Sequence, residues 1–518
     1  MTLRYGVLAF LLVARMAGNT ALASIESAAV TGGTVQGQVV DGLAVFKGIP
    51  FAAPPVGDLR WQVPKPVIPW QGMRGAREFA PACMQSWIPA DQLQPSEDCL
   101  YLNVWTAATS SIERRPVIVW IHGGGLVGGM SWEKVSDGTN LAREGAVVVT
   151  IAYRLGAFGY LAHPELTREN GKTSGNYGLH DMIAALRWVQ ANIAQFGGDP
   201  SRVLVIGGSA GASSISVLAA SPAAKGLYSR AAALGGAIFM PGTPVDARYQ
   251  YYWPTLADYE RKGEALFKEL GVSDLQAARA LPASTLLKAT DGWPSKYGIN
   301  RDGELVLDYT QELFAQRRFN DTPILIGYTS DEVGAPPGTT LASAQANLRT
   351  LPCRHTLPAL LAAYPRFVSD EQTRVVLSQA MRDQNIGWAT WTWARLQTEN
   401  GHSAVYAYFF DIHGRDRPHG APHAAEYPYV FGNFWNTPTQ RDLTASAMIR
   451  QYILNFAARG DPNTPGLPQW DRFEETTQRV MMFDRVFHSG EWPNLAALQA
   501  LTPYLKCYAG TLVPNDPG

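Results

Sequence analysis

An α/β fold, with a central, mostly parallel twisted sheet flanked by helices, is predicted by three features of the chain. The first is a pair of nearly continuous apolar runs, Val117 to Ile121 (VIVWI) and Ala146 to Ala152 (AVVVTIA). Short runs without polar alternation belong to strands covered on both faces. The second is Asp181 to Phe196, in which Ile183, Leu186, Trp188, Val189 and Ile193 recur at helical spacing. Gly197-Gly198-Asp199-Pro200 then supplies a flexible cap followed by a breaker, so the predicted helix stops there. The third is Val203 to Ile206, a further apolar run. Strand, helix and strand in this order imply parallel neighbours joined by a right-handed crossover.

The sequence has 518 residues, 46% apolar and 17% charged, enough to bury a large core. Length alone would suggest more than one domain. No linker, internal repeat or low-complexity segment divides the chain, so residues 24–518 are read as a single domain. Ala237 to Ile299 is less regular and rich in Tyr, Trp and Pro. Two readings stand for it: a cap or gorge wall over a site, or surface helices and loops. The formal net charge is −1, without a basic stripe, which gives nucleic-acid binding no electrostatic support. Little long-range steering follows, and a neutral small molecule is the expected partner.

The first residues read as an export signal over residues 1–23. Arg4 supplies a positive start, Gly6 to Ala14 an apolar run, and Ala21-Leu22-Ala23 a small-residue cleavage site before Ser24. Arg15 interrupts the pattern, and a frayed cytosolic terminus is the competing reading. No stretch reaches the roughly 20 apolar residues of a membrane span. The expected location is secreted or periplasmic. Of the four cysteines, Cys83 and Cys99 flank a Pro- and Gln-rich segment that a disulfide would close after export. Metal binding competes weakly, because neither has ligand spacing. Cys353 and Cys507 are left open between a pair and two buried thiols.

Gly207-Gly208-Ser209-Ala210-Gly211 satisfies G-x-S-x-G, a weak signal alone in a chain with 49 glycines. Its context strengthens it: VLVI runs in, and the small-residue helix start Ala212-Ser213-Ser214-Ile215 runs out. A nucleophile elbow requires this strand–turn–helix arrangement, with serine at the strained tip and glycines allowing close approach. His122-Gly123-Gly124-Gly125 follows the VIVWI strand directly. Bare glycines there let backbone N–H groups turn inward, as an oxyanion hole needs. A hydroxyl nucleophile also requires a base and an orienting acid. Nine histidines and many carboxylates leave that choice open.

The chain resembles the type-B carboxylesterase and cholinesterase family of α/β-hydrolases. The resemblance runs through Phe46-Lys47-Gly48-Ile49-Pro50-Phe51-Ala52, Pro54-Pro55-Val56-Gly57 and Ser96-Glu97-Asp98-Cys99-Leu100-Tyr101-Leu102-Asn103-Val104. It continues in Gly175-Asn176-Tyr177-Gly178-Leu179 and Phe196-Gly197-Gly198-Asp199-Pro200. It implies an α/β-hydrolase fold whose helical and loop insertions form a gorge or cap. It implies Ser209 as nucleophile and Glu332 (in GYTSDE) as the triad acid, with Asp331 as competitor. It implies His423 (in GAPHAAE) as base, with His419 nearby but outside the motif. Gly124, Gly125 and Ala210 match the oxyanion donors, and Cys83 and Cys99 match a family disulfide. No metal or cofactor is implied.

One departure stands out: the family commonly has glutamate before the nucleophile, and this chain has Gly208. A less acidic and roomier site floor is expected from that change. Trp388, Trp391 and Trp393 lie in one helical-looking stretch and read as core. Trp87 lies inside the Cys83–Cys99 loop, but not clearly where cholinesterases bind quaternary ammonium, so a cation–π choline site is not expected. The function expected is two-step hydrolysis of neutral, small esters, aromatic ones included, with activity rising through about pH 6 to 7 as the histidine deprotonates. The alternatives are a neuroligin-like binding protein on the same fold, or a specialised feruloyl- or tannin-type esterase.

Overall fold

The structure, a computed structural model, describes residues 24–89, 92–239, 254–292, 296–414 and 420–511. The export segment and His419 lie outside the described residues.

An eleven-stranded sheet organises the chain. Its strands are β1 (Gln38–Val40), β2 (Leu43–Pro50), β3 (Tyr101–Thr106), β4 (Arg115–Ile121), β5 (Val147–Ile151) and β6 (Gly198–Gly208). They continue with β7 (Arg230–Leu234), β8 (Ile324–Thr329), β9 (Val405–Phe410), β10 (Arg479–Phe483) and β11 (His488–Glu491). The order across the sheet is β11-β10-β9-β8-β7-β6-β4-β5-β3-β2-β1, so chain order is broken only where β4 and β5 exchange places. From β5 to β10 every neighbouring pair is parallel. Antiparallel pairs close both margins. A separate three-stranded sheet is formed by Ser27–Val30, Gly33–Gln36 and Met73–Gly75.

The central strands are buried on both faces, as their uninterrupted apolar runs predict. Val117, Val119 and Ile121 of β4 pack with Val203 and Val205 of β6 on one side. Ile118 and Trp120 pack with Leu204 and Ile206 on the other. β6 is longer than the predicted Val203 to Ile206, because its flanking glycines and polar residues are held by ladder bonds to β4 and β7. Helix α1 (Tyr177–Asn192) starts earlier than the predicted Asp181. Asp181 does not cap the helix; it is fully buried and takes two bonds from the Arg154 guanidinium, at 2.8 and 2.7 Å. The last turn tightens to 3₁₀ over Ile193–Phe196 and ends at Gly197, in the left-handed region at φ 77°.

The irregular stretch after Ala237 carries three helices among its described residues, at Leu256–Leu270, Leu275–Ala280 and Ala283–Thr290. Trp388, Trp391 and Trp393 lie on one helix, Trp388–Asn400, and all three are buried. Cys83 is bonded to Cys99, with Cα atoms 5.0 Å apart. Cys353 and Cys507, left open by the sequence, form the second disulfide at 5.9 Å, anchoring the terminal helix Leu495–Thr511. No helix of the described residues is long and apolar enough to cross a membrane.

Candidate active site

The carboxyl ends of four parallel strands converge on one place, where open α/β sheets assemble their sites. β6 delivers Ser209 and β4 delivers the His122–Gly125 loop. β8 runs into the turn carrying Glu332, and the connection after β9 carries His423.

Ser209 lies between β6 and helix α2 (Ala210–Ala220), with φ 53° and ψ −120°. A non-glycine residue at positive φ is strained and persists only where its surroundings over-determine it. Here its N–H donates to Leu234 O at 2.9 Å, and its carbonyl accepts from Ser213 N at 2.8 Å. The glycines around it are sterically required. A Cβ at Gly211 would lie 2.2 Å from Ile121 O, and one at Gly207 would lie 2.8 Å from Gly211 C. Ala210 opens α2, where first-turn N–H groups have no partner inside the helix.

The glycine loop folds against this turn: a Cβ on Gly123 would stand 3.0 Å from Ser209 Cβ. Gly124 and Gly125 both have positive φ, 95° and 60°. His122 is fully buried. Burial pushes its imidazole down to about 4, against the opposing bond with Gly123 O, so it stays neutral. Its ring stacks on Tyr153 at 4.3 Å, and the Tyr153 hydroxyl donates to His122 O at 2.9 Å. His122 is therefore a fixed post of the loop, with no free role as a base.

His423 Nδ1 is hydrogen-bonded to Glu332 Oε2. The other carboxylate oxygen accepts the Thr329 N–H at 2.7 Å, which fixes the plane of the Glu332 side chain. It is Glu332 that His423 meets; the backbone N–H of Asp331, the competing acid, donates to Ala421 O at 2.8 Å. Burial alone lowers the His423 pKa, but the Glu332 charge and hydrogen bond outweigh it and raise it to about 9. Gly235-Gly236, directly after β7, is the hub of the arrangement. A Cβ at Gly235 would lie 3.0 Å from Glu332 Oε1 and 3.4 Å from His423 Cε1, while one at Gly236 would lie 2.3 Å from Ser209 O. All three residues meet on this dipeptide.

A family model described as "Carboxylesterase family" matches residues 22–351 and 355–492. The chain belongs to the carboxylesterase family. Among its relatives, the fumonisin B1 esterase of Sphingopyxis macrogoltabida is 33% identical, over 92% of this chain and 89% of that protein. The para-nitrobenzyl esterase of Bacillus subtilis (strain 168) is 32% identical, over 91% and 97%. An acylcarnitine hydrolase of Mus musculus is 32% identical, over 87% and 86%. A solved PNB esterase superposes with a TM-score of 0.79 at 30% identity, covering 92% of this chain and all of that one. The fold is the α/β-hydrolase fold.

Within this carboxylesterase the floor beside Ser209 differs from the expectation of extra room. The volume in front of Gly208 is occupied by Tyr427, whose hydroxyl would lie 2.0 Å from a Cβ at that position. The floor is not stripped of carboxyls either. Glu426 is buried beside Glu332, and burial together with the Glu332 charge raises its pKa. Glu133 is raised to about 7 by burial. Trp87 is 48% exposed, and its ring covers Gly128, just beyond the glycine loop, so it is not core. The helical insertion reaches the same loop: Gly298 faces Leu126 and the Tyr259 hydroxyl. Sequence reasoning missed Gln85, whose amide donates to Gly129 O at 2.7 Å and accepts from Gly129 N at 3.0 Å. It also missed Gly235-Gly236, signalled only by a glycine pair closing an apolar run.

Proposed function

We propose that this carboxylesterase hydrolyses small neutral carboxylic esters through an acyl-enzyme on Ser209. His423 Nδ1–H donates to the Glu332 carboxylate, which leaves Nε2 as the basic nitrogen for the nucleophile. That nitrogen takes the Ser209 proton as Oγ bonds to the ester carbonyl carbon. The carbonyl oxygen becomes an oxyanion and accepts from the amides of Gly124, Gly125 and Ala210. As the oxyanion collapses, the C–O bond to the alcohol breaks and His423 Nε2 returns its proton to the departing oxygen. Water repeats the sequence on the acyl-enzyme and releases the acid.

The single observation that carries this reading is the convergence on Gly235-Gly236 of the strained Ser209 turn and the bonded His423–Glu332 pair. The printed activities of the relatives, on fumonisin B1, para-nitrobenzyl esters and acylcarnitines, differ too widely to name a substrate. The aromatic and apolar approach, formed by Trp87, Leu126 and Tyr259, favours an ester with an uncharged, flat or apolar portion. The disulfides fit an oxidising compartment outside the cytosol.

The test is turnover of p-nitrophenyl acetate and butyrate by the native protein and by Ser209→Ala, with fluorophosphonate labelling alongside. Loss of at least about 1,000-fold in kcat, with labelling abolished, is expected. Equal turnover by the two proteins overturns the mechanism, and no turnover by either returns the chain to the binding-protein reading.

A further inference from the structure

Gly208 is the residue at which this chain leaves its family's pattern, and Tyr427 is what stands in the space. A Cβ at Gly208 would lie 2.0 Å from the Tyr427 hydroxyl oxygen and 2.2 Å from Cζ, distances no real side chain tolerates. Tyr427 reaches there from the short helix Tyr427–Phe431, four residues beyond His423. Its ring packs edge-on against Trp120, at 5.3 Å and 77°, on the strand that ends in the His122 loop. One side chain thus touches the Ser209 turn and the strand feeding the glycine loop, and is tied through its own backbone to the His423 segment. Its hydroxyl is buried and has no hydrogen-bond partner among the described residues, and the same holds for Glu426 Oε2 next to it. A phenylalanine would fill most of this volume without leaving a buried hydroxyl unpaired. Packing alone does not account for the oxygen.

We propose that Tyr427 is a positioning residue for ester hydrolysis, its hydroxyl end acting as the stop that holds the strained Ser209 turn, and that Gly208 and Tyr427 are an obligate pair. This rests on the acyl-enzyme reading above and deepens it. The pair puts a hydroxyl where the family resemblance leads one to expect a carboxylate. A glutamate restored at position 208 is therefore excluded sterically unless residue 427 shrinks.

The test is a double-mutant cycle of Gly208→Ala and Tyr427→Leu, with Tyr427→Phe measured beside it. Steady-state kinetics on p-nitrophenyl acetate, the rate of fluorophosphonate labelling and thermal unfolding are the readouts. Gly208→Ala is expected to lower kcat and the labelling rate about 100-fold, with KM within threefold. The double variant is expected to recover at least tenfold over Gly208→Ala, because the leucine clears the space the methyl needs. Tyr427→Phe is expected to lower kcat about fivefold to tenfold while its unfolding midpoint holds or rises, which a purely structural role would not produce. The proposal is overturned if the double variant is no more active than Gly208→Ala and Tyr427→Phe keeps native kcat. If Gly208→Ala does not fold, the Tyr427→Phe result decides alone. An active native enzyme with unmoved variants sinks the pairing only; a native protein that neither turns over ester nor takes the label sinks the acyl-enzyme reading with it.

Discussion

The backbone N–H of Ala421 donates to Ser330 Oγ at 2.7 Å, and this bond fastens the turn carrying Glu332 to the segment carrying His423. The bond is one of several at this seam. Asp331 N donates to Ala421 O, Arg382 Nη1 donates to Ser330 O at 3.0 Å, and the Ser330 hydroxyl is also bonded to Asp411. The acid and the imidazole come from different strands, so their mutual geometry is set by this seam and not by either loop alone.

Ser330→Ala is therefore expected to lower kcat about 5- to 30-fold with KM within about twofold, by loosening the Glu332–His423 pair. Leaving the Ala421 N–H unpaired should also cost about 1–2 kcal/mol of stability. Steady-state kinetics and denaturant unfolding check both. A native kcat with only the stability loss would show that the seam does not transmit to the imidazole.

The pH dependence of activity follows from the same pair. A free imidazole would make activity rise through pH 6 to 7, but Glu332 raises His423 to about 9. Since the base must be neutral, the acid limb of kcat/KM is expected above pH 7, displaced toward 9. Glu332→Gln removes the charge, so the limb should move to lower pH while kcat falls about 100-fold or more. Profiles of both proteins from pH 5 to 10 decide the matter; a limb that stays put in the variant contradicts Glu332 as its cause.

Stability should respond to pH in a direction set by the buried groups. His423, Glu426 and Glu133 all bind protons more tightly folded than unfolded. Wherever the folded state holds more protons, stability falls as pH rises. The imidazole's share is intact below its unfolded value near 6.5 and is lost as pH climbs through about 9. His122 acts oppositely: its depressed folded value, about 4, means stability is lost as pH falls from about 6.5 through 4. The unfolding midpoint is expected to be highest at mildly acidic to neutral pH and to decline by pH 9. A midpoint rising steadily across pH 6.5 to 9 would contradict this.

The contrast between what the residues disclosed and what they did not has a physical basis. Strands buried on both faces leave an uninterrupted apolar run, and an elbow needs small residues on both sides of its serine, so β4, β6 and Ser209 were readable locally. The proposed partners of Ser209 were not, because a base and an acid need only share space; His423 and Glu332 came from resemblance. Tyr427 was invisible for a related reason. Its contact with Gly208 joins residues far apart in the chain, and the absence of a side chain at 208 reads as room until the neighbour that fills it is known. Gln85 looked like one more polar residue in a disulfide-closed loop, yet it satisfies both backbone groups of Gly129.

That clamp yields a last prediction. Gln85 lies two residues beyond Cys83, and the Cys83–Cys99 bond fixes the segment from which it reaches across to Gly129. On the near side of Gly129, the N–H groups of Val127 and Gly128 both donate to Gly124 O at 3.0 Å, so the loop closes on one of its proposed oxyanion glycines. Gln85→Ala leaves both Gly129 groups unpaired, which should destabilise the protein by about 1–3 kcal/mol. If Gly124 and Gly125 are donors, their amides lose their aim as well, and kcat should fall about tenfold with KM little changed. Gln85→Glu keeps the acceptor for Gly129 N but loses the donor to Gly129 O, so it should fall between native and alanine. Kinetics on p-nitrophenyl esters, paired with unfolding, separate the two effects: a stability loss with native kcat would mean that the glycine loop is only scaffolding and that the oxyanion is held elsewhere.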